Sequence, residues 1–167
     1  MKRRDVLKSV SVAGGLSVAG CISTLSVGNS GTVLGKIEVI NSSFVANRIR
    51  LLVKRDEDLL IDREVTLTAI DVDDSAALSI IEPMWPKTQA PYTIRAIHYD
   101  ESGNRESIGW EYTFTKEDYD MYYKDSHKDP GCIGAIVKIG SLADTPNAPI
   151  GIGPIYRENP CGVEDPE

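Results

Sequence analysis

The chain has 167 residues, with 18 Lys and Arg against 25 Asp and Glu, a formal net charge of −7. Removing residues 1–20, which hold Lys2, Arg3, Arg4, Lys8 and Asp5, leaves 147 residues with 14 basic and 24 acidic side chains, a net charge of −10. That length suits one domain, and so acidic a balance argues against nucleic acid or an anionic membrane surface as partner, since both need a basic face.

The opening residues, Met1-Lys2-Arg3-Arg4-Asp5-Val6-Leu7-Lys8, form a basic region with paired arginines, two apolar residues and a lysine. This is the twin-arginine export pattern. Ser9 to Gly20 is uncharged and rich in Val, Ala, Gly and Ser. It is too short to span a bilayer, which takes about 20 apolar residues. It runs into Val18-Ala19-Gly20-Cys21, an apolar residue, two small residues and a cysteine that together form a lipobox. Residues 1–20 are therefore expected to be a signal peptide, and Cys21 a thioether anchor to membrane lipid on the outer face of the cell membrane. Each buried CH₂ contributes about 0.8 kcal/mol, so stable attachment takes two chains per anchor. Twin-arginine export carries folded cargo, so the domain is expected to fold before it crosses. The alternative is a buried amphipathic helix that begins with Arg-Arg.

Residues 21–34 are Ser/Gly/Thr/Val-rich and uncharged, as expected of a lipid-anchored tether, and 35–167 form the domain. Lys36 to Ile40 alternates, as does Arg48 to Lys54, with Ile49, Leu51 and Val53 on one side. The acidic turn Asp56-Glu57-Asp58 leads into Leu59 to Leu67, where Ile61, Val65 and Leu67 share a face, and the two runs read as a hairpin. Thr68 to Gln89 is less regular. Pro83, Pro86 and Pro91 exclude a long helix there, and Ala76 to Ile81 fits either a helical turn or a short strand. Tyr92 to Tyr99 is a strand, and Asp100 to Asn104 a turn. Arg105 to Thr115 returns with Trp110, Tyr112 and Phe114 on one face. Lys116 to Pro130 is a long polar connection with a helical turn at Glu117 to Tyr122. Seven or eight short strands with little helix predict an all-β fold, an antiparallel β-sandwich of about seven strands. Either Trp85 or Trp110 supplies the core indole.

With Cys21 lipidated, Cys132 and Cys161 remain, an even pair in an exported chain. Cys132 to Ile139 and Ile150 to Tyr156 read as strands on either side of a Pro/Asn/Asp-rich loop, Gly140 to Pro149. An antiparallel hairpin brings both cysteines to its open end, near bonding distance. The alternative is two free thiols in a loosely ordered tail.

Taken together, the Arg-Arg signal ending in Ala-Gly-Cys, the strands ending in Asp62-Arg-Glu-Val-Thr-Leu67, Trp85-Pro86 before Pro91-Tyr-Thr-Ile-Arg95, Gly131 to Ile139, and Ile155-Tyr156 before a last cysteine have a parallel. Their order resembles the small immunoglobulin-like lipoproteins that halophilic archaea export. The resemblance implies an immunoglobulin-like sandwich and a terminal disulfide; it carries over no activity.

Catalytic chemistry has little to draw on. Neither histidine, His98 in a strand or His127 in a loop, has a nucleophile motif beside it, and no phosphate loop, Gly-x-Ser-x-Gly or His-Glu-x-x-His occurs. Tyr122 to Val137 resembles the ligand loop of blue-copper proteins, with His127 in the histidine place. Lys124 stands where the thiolate belongs and Cys132 where the methionine belongs, so a copper thiolate site cannot form. Asp71, Asp73, Ser75, Ser79 and Glu82 sit at positions one, three, five, nine and twelve of an EF-hand-like loop, but Ala76 replaces the turn glycine. A looser cation site on Asp71, Asp73 and Glu82 is the functional reading of that run; a solvated acidic loop is the plain one. Trp110, Tyr112 and Phe114, with Tyr119, Tyr122 and Tyr123 nearby, either line the core or form an exposed patch for glycan or protein. Asn41-Ser-Ser43 is a glycosylation sequon.

These features predict a non-enzymatic, membrane-anchored extracellular module with no cofactor, working through an envelope protein partner or as a structural element. The alternative is a lipoprotein that binds a cation or small solute.

Overall fold

Alternating apolar runs need a second layer to cover them, and the chain supplies two. In the computed structural model, which describes residues 31–70, 77–99, 105–125, 129–140 and 149–162, the strands are β1 (Leu34–Asn41), β2 (Asn47–Arg55), β3 (Asp58–Leu67), β4 (Ala77–Ile81), β5 (Tyr92–Tyr99) and β6 (Arg105–Phe114). A helix α1 (Lys116–Tyr123) follows, then β7 (Ile133–Ile139) and β8 (Ile150–Ile155). They form two four-stranded sheets, ordered β4-β1-β7-β8 and β3-β2-β5-β6. Among the described residues this is an all-β sandwich of eight strands, within the seven or eight expected, and Ala77–Ile81 settles as a strand.

The β2/β3 hairpin forms as its alternation predicts, Val53 opposite Ile61 and Ile49 opposite Val65. Its turn places Asp56 at φ 51, a left-handed conformation that Asp tolerates better than most residues. The parallel pairing of β1 with β7, Val39 opposite Val137, departs from an all-antiparallel sandwich. Hydrophobic period two fixes which side chains point inward but carries no information on strand direction. The remaining sheet neighbours are antiparallel.

Ile37 and Val39 of β1, Ile49, Leu51 and Val53 of β2, Tyr92, Ile94 and Ala96 of β5, Phe114 of β6 and Ala135, Val137 and Ile139 of β7 are fully buried between the sheets. Trp85 is the core indole, its Nε1–H donating to the Leu34 carbonyl at 2.9 Å, whereas Trp110 is half-buried against the margin of the core. Residues 31–34, read from composition as tether, already belong to the sandwich: Thr32 pairs with Ala90 in both directions at 3.1 Å and Leu34 is buried.

Helix α1 is longer than the expected turn. Its N-terminus is fixed by the Asp118 carboxylate, which accepts from the Thr115 backbone N–H at 2.8 Å and from the Thr115 hydroxyl at 3.2 Å. Glu117 and Asp118 in the first turn also suit the positive end of the helix dipole.

Hairpin β7/β8 pairs Ile139 with Ile150 and Gly134 with Ile155. Continuing that register places Arg157 opposite Cys132, so the chain doubles back after β8 to deliver Cys161. The disulfide Cys132–Cys161 joins Cα atoms 5.6 Å apart. The returning tail crosses β1, where Lys36 N–H donates to the Pro160 carbonyl at 2.8 Å. Gly35 makes room for that crossing, since a Cβ there would lie 2.1 Å from the Pro160 oxygen.

Candidate functional site: two unlike faces and a tyrosine-rich end

The outward positions of the two sheets differ in chemistry. On β3-β2-β5-β6 they carry ion pairs, Arg48–Glu64 and Arg50–Asp62, all four partly to well exposed. Tyr99 donates to Glu64 at 2.7 Å while the Arg48 guanidinium lies 4.6 Å over the Tyr99 ring. The Thr93 and Thr113 hydroxyls meet across the β5/β6 pair at 2.9 Å. The Tyr99 hydroxyl and Arg48 hold the Glu64 carboxyl below its ordinary value, and the same contact raises the Tyr99 hydroxyl. This is a solvated surface, in which exposed pairs contribute little to stability.

On β4-β1-β7-β8 the outward positions are aliphatic. Leu78 and Ile80 of β4 are 51% and 47% exposed, and Ile40 of β1, Ile136 of β7 and Ile155 of β8 are half-buried beside them. The register makes these neighbours: Leu78 lies opposite Ile40, Ile136 opposite Gly153 and Ile155 opposite Gly134. Ile155 folds over Gly134, where a Cβ would approach the Ile155 Cγ2 to 2.8 Å, while the outward sides of Gly151 and Gly153 meet open space. An apolar surface results, into which Lys138 of β7 is set, exposed between Ile40 and Gly151.

One carboxylate interrupts that face. Glu38 of β1 stands between Ile80 and Ile136 and is only 6% exposed. Arg157 of the returning tail covers it, Nη2 to Oε2 at 3.0 Å. The Arg157 backbone is held in turn by Tyr123, whose hydroxyl accepts from the Arg157 N–H at 3.1 Å and donates to the Arg157 carbonyl at 2.7 Å.

Tyr123 belongs to a tyrosine-rich end built by α1. Tyr122, 55% exposed, stacks on Tyr156 with centroids 4.2 Å apart and planes at 13°. Tyr112 donates to Asp118 and Tyr119 to Asp129. Burial, reinforced by the carboxylate partner, pushes each of these two hydroxyls up to about 12. A cavity of about 430 Å³ lies beside α1, lined among others by Thr32, Gln89, Lys116, Tyr119, Lys124 and Asp129. Lys116 is paired there with Asp120.

Of the residues singled out in the sequence, Arg3, Arg4, Cys21, Asp71, Asp73, Ser75 and His127 lie outside the described residues. Glu82 is exposed just after β4 and Ser79 sits within it. Among the described residues no group of three or more His, Cys, Asp or Glu side chains is placed to hold a metal ion. Cys132 is spent in the disulfide, and His98 is buried edge-to-face against Trp110 at 5.6 Å. Of the aromatic face, Phe114 is core and Tyr112 and Trp110 pack against it; of the nearby tyrosines it is Tyr122 that is exposed.

The sequon residue Asn41 is buried and fully used. Its amide donates to the Val45 and Thr68 carbonyls at 2.8 and 2.7 Å, and its carbonyl accepts from Ser43 and Asn47. In the folded domain it offers no acceptor for a glycan.

Glu38, Arg157 and the outward aliphatic residues escaped sequence reading. The one available signal was Ile150-Gly-Ile-Gly, where alternate glycines strip one face of a strand. Compared with known proteins, the chain matches no protein-family model, no curated protein and no solved structure.

Proposed function

We propose that the chain is an exported lipoprotein, held through Cys21 to the outer face of the cell membrane, whose immunoglobulin-like domain works by docking an envelope protein and not by catalysis. The observation that carries this reading is the aliphatic outer face of β4-β1-β7-β8 opposite a charged outer face. Contiguous apolar surface is costly to leave in water and marks contact sites, and fold alone assigns no activity. The signal pattern of residues 1–21 and the resemblance to exported haloarchaeal lipoproteins support the address.

The test is chemical crosslinking on intact cells in the cells' own salt, followed by purification of a C-terminally tagged full chain and mass spectrometry. We expect one envelope protein linked to residues that border Ile136, and its loss in an Ile136→Lys variant. Equal recovery with that variant overturns docking through this face.

A second reading, capture of a small solute, is favoured by the cavity beside α1. Saturable solute binding that Lys124→Ala abolishes, with no partner crosslinked, would put it first.

A further inference from the structure

The geometry points to a second copy of this chain as the occupant of the free edge of β4, the two copies pairing as antiparallel strands about Ser79. The inference rests on the docking reading for the use of the joined face, and on β4 alone for the pairing.

Each sheet edge exposes backbone N–H and C=O groups that invite another strand, and proteins guard them with charge, proline or cover. Three of the four edges here are guarded. β3 carries exposed Asp58, Asp62, Arg63 and Glu64. β8 contains Pro154. β6 carries exposed Glu111. β4 reads Ala77-Leu78-Ser79-Ile80-Ile81, without charge, proline or glycine. Its inner edge is spent on β1, from Ala77 opposite Asn41 to Ile81 opposite Ile37. Among the described residues, none of the backbone hydrogen bonds outside the sheet ladders and the helix uses β4.

The strand is also complementary to itself. The two exposed aliphatic residues flank Ser79 symmetrically. In an antiparallel pair centred there, Leu78 faces Ile80 of the partner and Ile80 faces the partner's Leu78. That contact is isologous and closes as a dimer, so it uses up the β4 edge of both copies. Aliphatic cross-strand pairs on one face are the stabilising unit of a sheet. The pairing would join two four-stranded sheets into one of eight, with both copies of Leu78, Ile80 and Ile40 on one outer face. The acidic balance of the chain opposes association, and salt removes that opposition, the Debye length falling to about 3 Å at 1 M. Pairing is therefore expected to strengthen with salt.

The test uses the full chain in mild non-ionic detergent with molar KCl. Light scattering is expected to give a polypeptide mass twice that of one chain, and Ile80→Lys to raise the dimer dissociation constant by about tenfold or more. In cells, Ser79→Cys should oxidise to a covalent dimer, with Glu111→Cys on β6 as the edge control. Ile80 points outward, so its variant is expected to fold, and circular dichroism checks that it does. Ile136→Lys should leave the Ser79→Cys dimer intact; dimerisation with partner docking lost then separates the two ideas. A monomeric mass at high protein concentration, or Ser79→Cys crosslinking no more than Glu111→Cys, overturns the pairing and leaves docking through the face standing.

Discussion

Arg157 reaches back 119 positions to set its guanidinium 3.0 Å from the carboxylate of Glu38, which stands nearly buried on the outer face of β1. Tyr123 clamps the Arg157 backbone from α1, and the Lys36–Pro160 hydrogen bond and the Cys132–Cys161 disulfide hold the tail just after it. A carboxylate between Ile80 and Ile136 would be costly without a cation, since burial disfavours the charged form.

Removing that cation tests the relationship. Arg157→Ala should destabilise the domain by about 1–2 kcal/mol, less than the 3–5 kcal/mol of a fully buried pair because Arg157 is itself half-exposed. Glu38→Gln should cost less, because the amide needs no counter-charge. Urea unfolding of the two variants decides it, and equal effects would contradict the pairing.

Reduction of the disulfide should act mainly on the unfolded chain. The bridge closes a loop of 29 residues, for which chain entropy predicts about 3–4 kcal/mol. Cys132→Ser/Cys161→Ser should lower stability by that order in denaturant titrations, and a reductant should reproduce the loss in the parent chain but add nothing in the variant.

Asn41 should behave as a structural residue. Asn41→Ala takes the donor from the Val45 and Thr68 carbonyls and the acceptor from Ser43 and Asn47, at a cost of about 1–3 kcal/mol. Mass spectrometry of the protein purified from its own cells should find Asn41 unmodified, because the folded domain holds its amide already bonded.

At alkaline pH the tyrosine-rich end should fail first. Tyr112 and Tyr119 ionise near 12 in the folded chain against an ordinary value of 10. A raised folded value favours the neutral form, so this stabilisation is complete below pH 10 and disappears as pH rises from about 10 to about 12. Tyrosinate absorbance should show a late-titrating class, and Tyr112→Phe should narrow the alkaline loss of stability.

For the address, Arg3→Lys/Arg4→Lys should block export and Cys21→Ser should release protein into the medium. Immunoblots of cells and medium check both, and export surviving the first change would overturn the twin-arginine assignment.

The sequence by itself determined a good deal of the fold. Alternation in Arg48–Lys54 and Leu59–Leu67 marked strands and their inward residues, because side chains on a strand point to opposite faces in turn. Two cysteines flanking a hairpin marked the disulfide, but the register puts Arg157 opposite Cys132 and only the returning tail delivers Cys161. Only the tertiary structure decided the rest. The parallel partnership of β1 with β7, the edge position of β4 and the Glu38–Arg157 contact all join segments far apart in sequence, and no local pattern encodes which strands become neighbours. The same limit governed the apolar outer face. Leu78, Ile80, Ile40, Ile136 and Ile155 come from four strands, and each alone looks like an ordinary strand residue. Asn41 shows it most plainly: a sequon when read along the chain, a buried hub once Thr68 and Val45 have closed around it.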